Sequence, residues 1–293
     1  MPRYAYVNGA YHLHRDAGVH IEDRGYQFAD GVYEVIALIN GKLADETGHL
    51  DRLERSLSEL SIDMPVPRKT LSLLMRELVQ KNRLRSANIY IQITRGVAKR
   101  DFKFPGQDIR PSLVMTTWPF RFDGNAAVEK GGKAISVPDI RWKRPDIKSV
   151  ALLPQVLAKQ TAAEKGAYEA WMVDDKGFVT EGSSSNAWIV TKGGKIITRD
   201  ATRSILRGVT RTAITKICQD LQMSVEERPF TLKEAYEAEE AFNSSAVALV
   251  VPIIEIDGHK IGTGEPGPVA KRLYEEYRAY ARGERGEEMA WSA

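Results

Sequence analysis

Cysteine is almost missing from this sequence: its 293 residues include one, Cys218. An intramolecular disulfide is therefore excluded. In "RTAITKICQDL", Ile214, Ile217, Cys218 and Leu221 recur at helical spacing, which predicts a buried thiol and suits a reducing compartment. Charge of one sign is not in excess either. The 42 basic residues stand against 39 acidic ones, a net charge of +3, too balanced to predict nucleic acid or an acidic membrane as a partner. Long apolar runs are absent as well: the most apolar segment, 246–256, is interrupted by Pro252 and falls well short of the roughly 20 residues that span a bilayer. The opening "MPRYAYVNGAYHLHRD" has no apolar core like that of a signal peptide, so a cytoplasmic location is expected. Neither GxGxxG nor GxxxxGK[ST] occurs, which removes the common nucleotide cradles. Of the five histidines only His12 and His14 lie close together. Without HExxH or paired cysteines, no metal site is expected.

What remains is the composition of an ordinary globular chain, 43% hydrophobic and 28% charged. At about 100 to 200 residues per domain, its length predicts two domains. Asn8-Gly9 and Asn40-Gly41 each sit between strand-like runs and predict two hairpins, the second following the β-branched stretch 32–39. Leu50, Leu53, Leu57 and Leu60, then Leu71, Leu74, Met75, Leu78 and Val79, follow a helical period. Strands are predicted at 88–94 and 112–118, flanking the long polar loop "RGVAKRDFKFPGQDIRP", whose length suggests function. The stretch "PFRFDGN" is the candidate linker, so the domains read as 1–120, a linker at 121–125, and 126–293. The second part reads as strands at 134–137, 169–173, 187–191 and 246–256, with helices at about 149–165, 209–221 and 268–280 and a frayed tail "RGERGEEMAWSA". Strands and helices interleave without strict alternation, which makes the fold class α+β.

Three stretches carry candidate chemistry. In "TEGSSSNAW", Glu181 is an acid at a turn between strands. The serines beside it read either as a solvated loop or as hydroxyls that fix the acid or bind an anion. In "ILRGVTRTAITKI", Gly208 precedes a helix whose first turn holds Thr210; a phosphate site and ordinary capping explain the same residues. In "PDIKSVALLPQVLAKQ", Pro145 favours an extended residue before it and Ser149 is a candidate helix N-cap, which sets Lys148 at a junction. Lys159 flanks the apolar stripe of Val150, Leu153, Val156 and Leu157, where a lysine lays its stem on the core and keeps its charge in water.

Taken in order, "EDRGYQFADGVYEV", "HLDRL", "DIKS", "LAKQ" with "EKG", "TEGSSSN", "LRGVTR" and "PIIEIDG" resemble the fold type IV pyridoxal-phosphate enzymes, and within them the bacterial D-amino acid aminotransferases. The likeness runs over nearly the whole chain. It implies a small N-terminal α/β domain and a larger C-terminal domain with a barrel-like sheet and helices. It also implies pyridoxal 5'-phosphate as cofactor, held as a Schiff base on Lys148, the lysine that then moves a proton between substrate Cα and cofactor C4′. A lysine in that role must be partly neutral, and Arg141 and Arg144 are positive neighbours in sequence. By the same resemblance Glu181 pairs with the pyridine nitrogen, Leu206 packs under the ring, and Arg52, Val209, Thr210 and Ser245 hold the phosphate. Ala246 stands where the family has a further hydroxyl. Tyr33 and Arg100 match residues that bind the substrate carboxylate, whereas Phe102 replaces an expected histidine.

The implied reaction is ping-pong transfer of an amino group from a D-amino acid to a 2-oxo acid such as pyruvate or 2-oxoglutarate. The alternatives are a branched-chain L-amino acid or (R)-amine aminotransferase, or an aminodeoxychorismate lyase of the same fold. A homodimer is implied, with the loop carrying the substrate arginine reaching over from the partner subunit.

Overall fold

Both Asn-Gly pairs turn as their hairpins require. Asn8 and Gly9 have φ of 46° and 104°, and Asn40 and Gly41 have 51° and 85°. Two successive left-handed residues make a type I′ turn, whose twist matches that of the flanking strands. These hairpins begin a computed structural model that describes residues 3–106, 108–122 and 124–284. Among the described residues the chain divides into two units. The first comprises the chain up to Arg121 together with Ile147–Ala151; the second comprises Phe122–Asp146 and the described residues from Leu152 on.

The first unit contains β1 (Tyr4–Val7), β2 (Ala10–Leu13), α1 (Arg24–Phe28), β3 (Gly31–Ile39), β4 (Lys42–Leu43), α2 (Glu46–Glu59), α3 (Arg68–Lys81), β5 (Ala87–Thr94) and β6 (Ser112–Pro119). Its sheet is antiparallel, in the order β2-β1-β6-β5-β3-β4. Side chains alternate across a strand, so the register Val32↔Ile93, Ile36↔Ile89 and Leu38↔Ala87 gathers one apolar face. That face packs with Leu50, Leu53 and Leu57 of α2 and Leu71, Met75 and Leu78 of α3 into a single core. Each such buried leucine contributes about 1.5–3 kcal/mol.

The second unit contains α4 (Ala126–Lys130), β7 (Gly132–Pro138), α5 (Leu153–Glu164), β8 (Glu169–Val173), β9 (Val179–Gly182), β10 (Asn186–Val190) and β11 (Ile196–Thr198). Then come α6 (Val209–Asp220), β12 (Val225–Glu227), α7 (Leu232–Tyr236), β13 (Glu240–Ser245), β14 (Leu249–Ile256), β15 (His259–Lys260) and α8 (Pro268–Ala281). Its nine-stranded sheet runs β12-β11-β10-β13-β14-β7-β8-β9 with β15 on β14, and it mixes parallel and antiparallel pairs. Cys218 is buried on α6, as its spacing predicts.

Two expectations need correction. The helix expected over 149–165 begins only at Leu153, with a proline in its first turn, and Ser149 does not cap it. Ser149 instead bridges Val32 in antiparallel fashion, so Ile147–Ala151 belongs to the first unit although its neighbours in sequence belong to the second. The expected apolar stripe of this helix also faces outward: Leu153, Val156 and Leu157 are 68%, 57% and 50% exposed, and its buried side chains are Ala158 and Ala162. Alanine is small enough to let a helix backbone approach its sheet closely, and the periodicity of larger residues does not report it. The frayed tail falls almost entirely outside the described residues.

Candidate active site

Lys148 is held by backbone pairing rather than by a helix cap. The Tyr33 amide donates to the Lys148 carbonyl (3.0 Å) and the Val150 amide donates to the Gly31 carbonyl (3.0 Å), so the lysine segment lengthens the edge of β3. Ile147, 4% exposed, anchors the segment in the first unit's core. The Lys148 Nζ lies 4.2 Å from the centroid of the Tyr33 ring. Tyr33 leans on Tyr90 at 5.6 Å, and the Tyr90 hydroxyl donates to Gln92 (2.6 Å). Burial first, and Tyr33 second, push the Tyr90 hydroxyl up to about 12.

On the opposite face of β3, Glu34 is fully buried among aliphatic neighbours. A lone carboxylate there would be very costly, and Arg52 and His49 of α2 offset it. Arg52 donates to Glu34 through Nε (2.7 Å) and Nη2 (2.8 Å), and His49 Nδ1 lies 2.7 Å from its Oε2. Burial alone would raise the Glu34 carboxyl, but Arg52 and His49 outweigh it and hold it at about 2. The Arg52 guanidinium, expected at a phosphate, is thus held by a carboxylate.

Removing one partner of such a pair costs about 3–5 kcal/mol, so Glu34→Gln is expected to lower stability by that amount at neutral pH. Because this carboxyl is depressed in the fold, its contribution is present above pH 4.5 and lost as pH falls toward about 2. Urea unfolding across that range is expected to show the loss in the wild type and not in Glu34→Gln.

Arg100 is exposed, with its guanidinium carbon 4.6 Å from the Phe28 centroid; Phe102 is 85% exposed and rests on the same ring at 5.6 Å. The buried Arg24 lies 4.7 Å from that ring too. It is tied to Asp30 and to the carbonyl of Asp101, so the loop bearing Arg100 is secured at its base.

In the second unit Glu181, 5% exposed on β9, receives the guanidinium of Arg141, the amide of Asn186 (3.0 Å) and the backbone N–H of Leu206 (3.2 Å). Arg141 also grips Asp139 through Nε (2.9 Å) and Nη2 (2.6 Å), and Thr180 donates to Asp139 (2.7 Å). One arginine therefore serves two carboxylates, Glu181 buried and Asp139 half-buried. Asp139 takes the two-pronged contact and is held low against its burial. Glu181 is raised, by burial first, which its contacts with Arg141 do not fully offset. A cluster with one surplus acidic group suits a cationic ring N–H. Arg144, the other positive neighbour considered for Lys148, is committed to Asp146 at 3.0 Å.

The α6 N-terminus has Gly208 as N-cap without a side-chain cap bond, and a Cβ at Gly208 would overlap the Asn186 amide oxygen. Glycine is thus required where helix and strand meet. Thr210, 2% exposed, has a hydroxyl with no hydrogen-bond partner among the described residues. An orphaned buried hydroxyl beside open helix amides, with Val209 between, is the chemistry of a phosphate cradle and is not satisfied by capping. The Ser245 hydroxyl accepts from Ala248 (3.1 Å) in the turn after β13. Leu206 contributes both backbone groups to the Glu181–Asn186 pair. The donor set therefore fits a phosphorylated pyridine, the cofactor implied by the resemblance.

Sequence reading missed Glu34 and Asn186, and it considered Arg141 only as a charge near Lys148. Glu34 had a usable signal, an acid at the inward parity of the strand Val32, Ile36, Leu38. Arg141 had none, because its partner Glu181 is distant in sequence. The serines after Glu181 do not hold it: Ser183 and Ser185 donate to Glu169, and Ser184 between them is exposed.

Comparison with known proteins agrees with this chemistry. The family described as amino-transferase class IV matches residues 31–256. A D-alanine aminotransferase of Bacillus licheniformis is 40% identical over 91% of this chain and 93% of its own length. One from Staphylococcus aureus (strain N315) is 40% identical over 94% and 96%. Among solved structures, a branched-chain amino acid aminotransferase of Escherichia coli superposes with a TM-score of 0.90 at 26% identity, covering 100% of this chain and 98% of that one. The branched-chain amino acid aminotransferase of Thermoproteus uzoniensis, solved with norvaline, does so with 0.87 at 27%, covering 99% and 98%. A further branched-chain enzyme, solved with pyridoxamine 5'-phosphate, reaches 0.90 at 27% over the same shares.

Proposed function

Because the chain belongs to the amino-transferase class IV family, we propose that it transfers the amino group of a D-amino acid, D-alanine foremost, to a 2-oxo acid such as pyruvate or 2-oxoglutarate. The observation that carries this reading is 40% identity to D-alanine aminotransferases over more than nine-tenths of both chains. The branched-chain enzymes share the fold at 26–27% identity, a weaker likeness.

When bound, pyridoxal 5'-phosphate supplies an aldehyde carbon that takes the amino group and a ring that takes up electrons from substrate Cα. Lys148 supplies the amine that holds the cofactor and moves the proton at substrate Cα. Its backbone pairing with β3 supports this role, since an acid–base group must keep its reach fixed through the reaction. Glu181 would hold the proton on the ring nitrogen, with Arg141, Asn186 and the Leu206 amide fixing its carboxylate, and Leu206 would contact the ring. Thr210, Val209, Ser245 and Arg52 bind the phosphate, and Tyr33 and Arg100 bind the substrate carboxylate. Phe102 brings an apolar ring where a histidine would bring a donor, which weakens the hold on that carboxylate. The working form is a homodimer in the cytoplasm, a compartment in keeping with the single buried thiol of Cys218.

Single-turnover spectra with D-alanine, L-leucine and (R)-phenylethylamine test the reading. D-alanine is expected to react fastest; a preference for either of the others, or pyruvate release without an amino acceptor, overturns it. Thr210→Val is expected to weaken cofactor affinity about tenfold, the loss of roughly one hydrogen bond to a charged group. The same change should leave the melting temperature of cofactor-free protein undiminished, because that hydroxyl makes no internal bond among the described residues.

A further inference from the structure

Glu169 opens β8, is 1% exposed, and plays no part in the chemistry above. Its carboxylate is surrounded by donors from the turn that follows Glu181. Ser183 and Ser185 donate to it, the latter at 2.8 Å, and the Ser184 hydroxyl lies at 3.4 Å. The Ala170 amide adds a fourth donor (2.9 Å), and Lys159 supplies the counter-charge at 3.4 Å. Lys159 is thus no freely solvated lysine: its ammonium also donates to the Tyr168 carbonyl and lies 4.8 Å from the Tyr168 ring centroid.

The turn wrapped around Glu169 is tight. The Gly182 amide donates to the Ser185 carbonyl (2.7 Å), and a Cβ on Gly182 would overlap the Ser185 hydroxyl. This turn separates two residues that must face each other, Glu181 at the end of β9 and Asn186 at the start of β10, joined by the 3.0 Å amide–carboxylate bond. Three hydroxyls on one charged centre leave the turn few alternative conformations, because releasing any of them weakens the compensation of a buried charge. We propose that Glu169, paired with Lys159, is a positioning residue: by gathering Ser183, Ser184 and Ser185 it sets the Glu181–Asn186 pair and thereby the grip on the cofactor's ring nitrogen.

The inference rests on the assignment of Glu181 to that nitrogen. Cofactor-free full-length protein is titrated with pyridoxal 5'-phosphate and with its 1-deaza analogue, in which carbon replaces the ring nitrogen. Glu169→Ala and the milder Ser185→Ala are expected to weaken pyridoxal phosphate, by about tenfold for Glu169→Ala, the scale of one hydrogen bond to a charged group. The deaza analogue should change by no more than about twofold, the range of substitutions that touch no feature of the ligand. Equal weakening of both ligands, the signature of a merely structural role, overturns the proposal, as does no change in either; Ser185→Ala decides the matter if Glu169→Ala does not fold. Glu181→Gln is the control. If the wild type discriminates between the ligands and Glu181→Gln abolishes this while Glu169→Ala keeps it, only the role of Glu169 fails. If Glu181→Gln leaves discrimination untouched, the assignment of Glu181 itself fails.

Discussion

Lys148→Ala is expected to lower kcat by about four orders of magnitude, the upper range for a positioned acid–base group, and to do so without unfolding the protein. The two parts of this expectation come from different atoms. What secures the segment is backbone pairing, Tyr33 N–H to Lys148 C=O and Val150 N–H to Gly31 C=O, together with the buried Ile147. Alanine keeps all three. What is lost is the amine beside Tyr33, half-buried and with no ion pair among the described residues that stabilises the fold. A melting temperature within a few degrees of the wild type, with transfer slowed by about 10⁴, is therefore the expected pairing. Lys159→Ala should leave measurable transfer, since Lys159 reaches the site only through Glu169.

Glu181→Gln is expected to lower kcat by about 10²–10³, the cost of removing one preorganised electrostatic partner of a developing charge. Stability should move the other way. Glu181 is raised in the fold above 4.5, so the ionised cluster is less stable than its protonated form. In cofactor-free wild type, the Glu181 contribution to stability is fully present below pH 4.5 and is lost as pH rises through the folded value. Glutamine removes that decline, because Arg141 then serves Asp139 alone. Cofactor-free Glu181→Gln should therefore equal or exceed the wild type at neutral pH while binding cofactor more weakly. Glu34→Gln shows the reverse pattern, since its carboxyl is depressed and not raised. Chemical unfolding of both variants between about pH 2 and 8 separates a carboxylate kept for function from one kept for the fold.

Local patterns in the sequence carried the elements whose partners are local. The Asn-Gly hairpins and the leucine-spaced α2 and α3 depend on residues a few positions apart, and they stand where their spacing predicts. The helix expected over 149–165 stands from Leu153 on, and only its start differs, because the residues before it pair with β3, far away in sequence, while periodicity reports only neighbours. Ser149 looked like a cap, yet Pro154, fixed in the first turn, was the better marker of where α5 begins.

The same limit governs the site. Lys148, Glu181 and Thr210 sit in motifs whose order along the chain resembles a family. Their supports come from elsewhere: Arg141 behind Glu181, Glu34 behind Arg52, and Glu169 within the serine turn. A buried charge announces that it needs a partner, and only the fold says which.

The central claim, that Lys148 carries the cofactor and the chemistry, is tested most directly by reducing the pyridoxal phosphate-loaded protein with borohydride and mapping the modified peptide. A single phosphopyridoxyl group is expected on Lys148 in the wild type and none on the peptide of Lys148→Ala. Label on Lys159 or any other lysine of the wild type, or no label on protein that transfers amino groups, would contradict it.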